Sequence, residues 1–243
     1  MLPEGEQLHY PRQPTVAKAN QHLDEDEAQE VDLDYARTRE LYEGVTSENY
    51  VERNIVSPDF AAQESARLQT TLENLPRTVH KAIVVAELGS GYGRNWPLLR
   101  SMFPRAIVLQ FEQSRANLAL AHSIMGVPKE CCVCTALQEM HWAALEAQIE
   151  VVVDWWTIAY LTLPDVRKVL EGVHQALKAS GIFVVCLPVK LREASRAGPT
   201  DGGMKYRTVQ EYESLIDLAG FVHLDPETGP RVLTPGETGG TTF

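Results

Sequence analysis

Along the chain, polar residues crowd the first thirty-three positions, after which apolar residues recur with two different periods. Residues 35–42 and 59–75 carry helical patterning. The second stretch places Phe60, Ala61, Leu68, Leu72 and Leu75 on a helical spacing behind the turn-and-cap signal Ser57-Pro58-Asp59. From Lys81 the rhythm changes. Short runs rich in β-branched residues, at 83–85, 106–111, 151–153 and 182–187, predict strands, and residues 94–102, 114–125 and 163–178 between them predict helices. Strand alternating with helix implies βαβ units and a mostly parallel sheet covered on both faces, an α/β fold. Residues 188–206, basic and then glycine-rich, predict a mobile loop. A helix over 208–219, ended by Gly220, and a strand over 221–224 follow, and the glycine- and proline-containing tail from Pro230 is expected to be weakly structured. The chain thus divides into an acidic, disordered tail (1–33), an N-terminal helical extension (34–78) and a ligand-binding domain (79–243).

Bulk properties narrow the function classes. A chain of 243 residues, 44% apolar, builds one domain with a full core. No apolar run approaches the ~20 residues needed to span a bilayer, and residues 1–13 lack the apolar core of a signal peptide. No membrane partner is expected, and the cytoplasm or nucleus is the expected location. A formal net charge of −11 argues against gripping nucleic acid by general electrostatics, although one run, Asp24-Glu25-Asp26-Glu27, holds four of the acidic residues. Of four cysteines, Cys131, Cys132 and Cys134 crowd together while Cys186 stands alone. Their C-C-x-C run lacks zinc-knuckle spacing, so buried strand thiols and no metal site are expected.

The chemistry concentrates in residues 82–94. Glu87-Leu88-Gly89-Ser90-Gly91-Tyr92-Gly93-Arg94 follows an apolar strand and opens a helix. Gly89, Gly91 and Gly93 let the backbone turn sharply and approach a ligand. A dinucleotide site looks similar, but three details favour S-adenosylmethionine (SAM). The spacing is G-x-G-x-G, the acid Glu87 precedes the loop, and a second acid, Glu112, ends the next strand, where it can accept from the two ribose hydroxyls of an adenosine. Leu137-Gln138, just after the third strand, either borders the adenine or forms a plain surface turn. Further on, residues 151–153 lead into Asp154-Trp155-Trp156-Thr157-Ile158-Ala159-Tyr160-Leu161, at the carboxyl end of a strand where open α/β sheets bind ligands. Adjacent tryptophans cannot share one sheet face. One belongs to the core; the other lines the pocket beside the sulfonium by cation–π contact, unless both simply pack. Asp154 either points into the site or caps the loop.

These motifs, in this order, resemble those of the α-N-terminal protein methyltransferases, which methylate the exposed α-amino group of Xaa-Pro-Lys proteins. The landmarks run from about Tyr35 to Pro235. Val56-Ser57-Pro58-Asp59 with Ser65 resembles that family's N-terminal extension. Gly89-Ser90-Gly91-Tyr92-Gly93-Arg94 resembles its G-x-G-x-G-R loop, in which Arg94 is implied to bind the SAM carboxylate. Cys134-Thr135-Ala136-Leu137-Gln138 resembles its C-x-x-L-Q element, which implies that Leu137 and Gln138 lie beside the adenine. Trp156-Thr157-Ile158-Ala159-Tyr160-Leu161-Thr162 resembles its W-x-x-G-H-L-T signature, and residues 230–235 its P-x-x-L-x-P run. The resemblance implies a Rossmann-like class I methyltransferase fold with a seven-stranded, mostly parallel sheet, SAM as cofactor and a protein or peptide substrate.

Departures fall on the substrate side. Tyr160 stands where the family has a signature histidine, and Cys186-Leu187-Pro188 where it has a strand-end Lys-Asp-Asn, the histidine and the aspartate being that family's proposed bases. Residues 48–54 replace its glycine-rich loop, and residues 236–240 its C-terminal strand. An α-ammonium, with a pKa near ~8, must lose a proton before it attacks a sulfonium, and a general base typically supplies ~10²–10⁴-fold. Leu187 offers none and Tyr160 orients the amine, so Asp154 is the nearest remaining carboxylate. Two readings follow: a SAM-dependent methyltransferase with an altered protein-amine acceptor, or a catalytically degenerate SAM-binding fold serving as a subunit or assembly factor in a multi-protein complex.

Overall fold

The computed structural model describes residues 58–189, 204–222, 224, 231–232 and 241–242. The acidic tail, the helix expected over 35–42, residues 190–203 of the loop expected over 188–206 and the stretches 48–54 and 236–240 lie outside them.

The first described element, helix α1 (Pro58–Glu73), leads through a single 3-10 turn into strand β1 (Val84–Leu88). Strand–helix alternation follows: α2 (Trp96–Met102), β2 (Ile107–Glu112), α3 (Arg115–Met125), β3 (Cys132–Cys134), β4 (Ile149–Trp155), α4 (Leu163–Ala176), β5 (Leu177–Leu187) and α5 (Val209–Leu218). Local chemistry sets the starts of the helices. Ser114 caps α3 by accepting from Asn117 N, Thr162 caps α4 from Asp165 N, and Thr208 with Glu211 forms a reciprocal capping box on α5.

Five strands pair in parallel in the order β3-β2-β1-β4-β5. Two further pairings are only two residues long: Thr241–Thr242 (β7) runs antiparallel to the end of β5, and Arg231–Val232 (β6) antiparallel to β7. The expected seven-stranded sheet is therefore present as five parallel strands with a short antiparallel margin. Side chains alternate between two apolar clusters, as a strand's two-residue period requires. Ala86, Leu88, Val152, Val185 and Leu187 join α4 and α5 on one face; Val85, Val151, Val153, Val184 and Cys186 join α1, α2 and α3 on the other. Helix α4 packs close against the 3-10 turn Trp142–Leu145: a Cβ on Gly172 would fall 2.2 Å from Trp142 Cγ.

Three expectations are corrected. The fourth helix ends at Ala176, and β5 begins at Leu177 rather than Ile182, because Lys178-Ala179-Ser180-Gly181 extends the strand with polar or small residues, the first three exposed, that leave no apolar signature. The strand over 221–224 does not form at Phe221 and Val222. Phe221 is satisfied by rings instead, edge-on to His174 at 5.3 Å and tilted against Phe183 at 5.4 Å, and Val222 is 90% exposed. The cysteines are not uniformly buried: Cys131 and Cys186 are, Cys132 is half-buried, and Cys134, on the sheet's edge strand, is exposed.

Candidate functional site

The β1–α2 turn and the ends of β2 and β4 meet at the carboxyl edge of the parallel sheet. Gly89, Gly91 and Gly93 all take left-handed φ values, +58°, +56° and +78°. The chain itself requires two of them. A Cβ on Gly89 would lie 2.1 Å from Thr157 Cγ2, and the Thr157 hydroxyl donates to Leu88 O at 3.0 Å. A Cβ on Gly93 would lie 3.1 Å from Val127 Cγ2 and 3.2 Å from Ala121 Cβ, so its absence lets the helix behind the loop approach.

Glu112, at the end of β2, ties the turn to the sheet. Gly91 N donates to its Oε2 at 2.9 Å and Ser114 N to its Oε1 at 2.8 Å. Burial raises its pKa, an effect these two amides oppose. Hydrogen bonds from the Asn117 side chain and the Gln113 backbone act on it in the same direction. Glu87, almost fully buried at the end of β1, receives Asn95 Nδ2 on Oε1 at 2.7 Å, and burial pushes its carboxyl up to about 7. Arg94, half-buried in the turn, acts on Glu87 electrostatically. Leu137 opens a 3-10 turn after β3 and packs in the α4-side core, with Trp142 Nε1 donating to its carbonyl at 3.3 Å; Gln138 beside it is half-buried.

On the β4 side the arrangement differs. Asp154 has no exposed surface, and its carboxylate accepts from Thr157 N at 2.8 Å and Ile158 N at 3.0 Å. Of the two geometries open to it, the loop cap is the one present. Burial pushes its carboxyl up to about 7 against the pull of those two amides. The capped segment is the 3-10 turn Ile158–Tyr160, which presents Tyr160 half-buried. Leu187 is fully buried in the α4-side core, and burial raises the Cys186 thiol to about 12, which leaves it protonated.

The tryptophans do not divide between the two faces: Trp155 is buried and Trp156 half-buried, and both pack against the α1-side cluster. Both indole N–H groups donate to Glu64 Oε2 from helix α1, at 2.8 and 2.7 Å. Sequence reasoning missed Glu64 and also Asn95. Glu64 did leave a signal: it falls midway between Phe60 and Leu68, on the apolar stripe of its own helix. Among the described residues no group of three metal-ligating side chains occurs, and no helix is long and apolar enough to cross a membrane.

No family model matches the chain, and no curated protein matches it in sequence. Solved structures do match its fold. A SAM-dependent methyltransferase from Leishmania major is similar with a TM-score of 0.66 and 16% identity, over 86% of this chain and 81% of that one. A 1,6-didemethyltoxoflavin N1-methyltransferase from Burkholderia thailandensis, with S-adenosylhomocysteine (SAH) bound, is similar with a TM-score of 0.59 and 19% identity, over 86% and 85%. A phosphoethanolamine N-methyltransferase from Haemonchus contortus, also with SAH bound, gives 0.58 and 15%, over 76% of this chain and 40% of that one. The fold is the Rossmann-like fold of class I methyltransferases.

Proposed function

We propose that the chain is a SAM-dependent methyltransferase acting on a protein amine other than the usual Xaa-Pro-Lys terminus. One observation carries the cofactor reading: at the carboxyl edge of the sheet Glu112 holds the Gly91 amide of a turn built on three left-handed glycines, where a ligand can approach the backbone closely. Fold neighbours that use SAM, two of them with its demethylated product bound, support it. The residues fit the cofactor. Gly89 and Gly91 form the turn that faces it, Glu112 takes its ribose, Leu137 and Gln138 flank its adenine, Arg94 meets its carboxylate and Trp156 borders its sulfonium. Bound there, SAM supplies an electrophilic methyl group to a neutral nucleophile.

What the chain's own residues do limits the acceptor. Asp154 orders the turn that carries Tyr160, and Tyr160 orients the incoming amine. With both Asp154 oxygens on backbone amides, the reaction draws on the fraction of the amine that arrives already neutral. An α-amine with a pKa near ~8 is about a tenth neutral at pH 7, whereas a lysine near ~10.4 is neutral in fewer than one molecule in a thousand. That difference favours a chain terminus over a lysine side chain. Titrating the protein with SAM and SAH, then incubating it with labelled SAM and a cell extract, tests the reading. Binding followed by methyl transfer to a protein terminus, at a rate that climbs with pH towards ~8, is the expected result. Binding with no transfer to any protein would replace it.

Tyr160 and Leu187 at the base positions of the resembled family favour a second reading, a degenerate SAM-binding subunit of a larger complex. Turnover that Asp154→Ala or Tyr160→Phe abolishes would remove it.

A further inference from the structure

Arg207, next to the cap of helix α5, is a buried cation with 6% of its surface exposed. Its Nη2 donates to Leu161 O at 3.0 Å, and its Nη1 is enclosed without an acceptor. Among the described residues no carboxylate pairs with it: the salt bridges join Arg67 to Glu64 and Lys178 to Glu150. The Tyr212 ring lies beside it, with the centroid 5.7 Å away. Burial raises that phenol to about 12 and keeps it neutral, while a hydrogen bond from Arg207 opposes the rise. The acids that act on the same phenol are committed elsewhere, Asp154 to the turn amides and Glu211 to the α5 capping box. A buried guanidinium without a counter-ion costs stability, and a chain retains such a cost where function requires it.

The cation sits against the turn that carries Tyr160. Lys205 N donates to Ala159 O at 2.7 Å and Arg207 to Leu161 O, so residues 205–207 run alongside that turn and hold it on both sides of Tyr160. Val189, two residues past β5, bridges Arg207, so the segment between them leaves and rejoins the fold at one place. Its sequence carries Lys190, Arg192, Arg196 and Lys205 against Glu193 and Asp201, in a chain whose net charge is −11. Resting on the proposed methyl transfer to an amine, we infer that Arg207 is the counter-ion of a carboxylate carried by the acceptor. A guanidinium presents a planar fork that meets a carboxylate with two parallel hydrogen bonds, stronger than those to the carbonyl and phenol that hold it now. Rotation of its long side chain exchanges one set for the other. The carboxylate belongs to an acidic residue close to a protein's amino terminus or to a free amino acid, and Arg207 selects either one against its amide. An arginine whose role ended at the Leu161 carbonyl would treat acid and amide alike.

Calorimetry on the full chain with SAH present tests the assignment. The probes are two decapeptides that differ only in beginning Ala-Asp-Glu or Ala-Asn-Gln, and free glutamate and glutamine. Wild type is expected to bind the acidic peptide about 10- to 100-fold more tightly than its amide twin, the range of charge-assisted hydrogen bonds. Arg207→Met should bring the two peptides within about twofold of each other and leave SAH affinity unaltered. A preference for glutamate over glutamine, with none between the peptides, upholds the anion site and replaces the protein acceptor with an amino acid. No preference in either pair overturns the assignment, while SAH binding leaves the proposed cofactor standing. A preference that survives in Arg207→Met overturns it equally. Wild type that binds neither SAM nor SAH overturns the proposed function and this assignment with it. Should Arg207→Met fail to fold, Arg207→Gln, which keeps a donor for the Leu161 carbonyl without the charge, decides by the same ratio.

Discussion

Two corners of the same sheet edge use their acids differently. At the β1–β2 corner, Glu112 accepts one amide from the residues just after it, at Ser114, and one from the loop 21 residues upstream, at Gly91, and so ties two segments together. At the β4–β5 corner, Asp154 is closed off from solvent, with both oxygens on the amides of the turn it caps, and Leu187 beyond it has nothing to titrate. One acid joins two loops, and the other holds the shape of the single turn that follows it. A carboxylate at this edge is therefore not by itself a base, because in both corners each oxygen already holds a backbone amide.

The strongest test of that contrast is removal of the capping acid. Asp154→Ala leaves two backbone amides without acceptors, at about 1–3 kcal/mol each, so urea denaturation should show a loss of about 2–6 kcal/mol. Asp154→Asn keeps one acceptor and should lose about half as much. Wild-type stability in the alanine variant would break the comparison.

The same carboxyl and that of Glu87 fix the sign of a pH dependence. Unfolded, they titrate near 3.8 and 4.5, and folded near 7. Between those values the folded state binds more protons than the unfolded state, so stability falls as pH rises from about 4 to about 7 and is level above. Urea midpoints at pH 5 and pH 7.5 should show the fall, and Asp154→Asn or Glu87→Gln should each flatten it.

If the proposed cofactor site is right, at the β1–β2 corner Glu112→Gln should weaken SAH binding about 10- to 100-fold by calorimetry, the scale of charge-assisted hydrogen bonds of about 1.5–3 kcal/mol. An unchanged affinity would remove the asymmetry between the corners. Smallest is the control at the opposite edge. Lys178 pairs with Glu150 on β4, exposed to solvent, and Lys178→Ala should cost less than about 1 kcal/mol and leave SAH affinity unaltered.

The β1–β2 corner was legible in the sequence because its signals are local. A glycine triplet between a strand and a helix, with acids at the ends of consecutive strands, states its geometry within about thirty residues. Helix starts were legible for the same reason, as Ser114, Thr162 and Thr208 each carry their caps. The β4–β5 corner was not. Whether Asp154 caps or projects depends on the turn that follows it, and the partners of Trp156 come from a helix far upstream. The start of β5 was hidden because its first turn of strand is polar and pairs through a register shift between Ile149 and Val151. The expected strand at Phe221 failed because ring packing on His174 and Phe183 satisfies that residue more directly than a sheet edge.

The carboxylate that holds both tryptophans also constrains the order in which the chain matures. It is separated from its partners by 91 and 92 residues, with β1, β2, β3 and most of β4 lying between. A contact of that range carries a large loop-closure entropy and forms after the local βα pairings have collapsed. During synthesis helix α1 emerges early and waits for its anchor. In kinetic terms, weakening the Glu64 contact should leave the folding limb of a chevron nearly unmoved and raise the unfolding limb, since interactions made after the transition state govern how long the native state lasts.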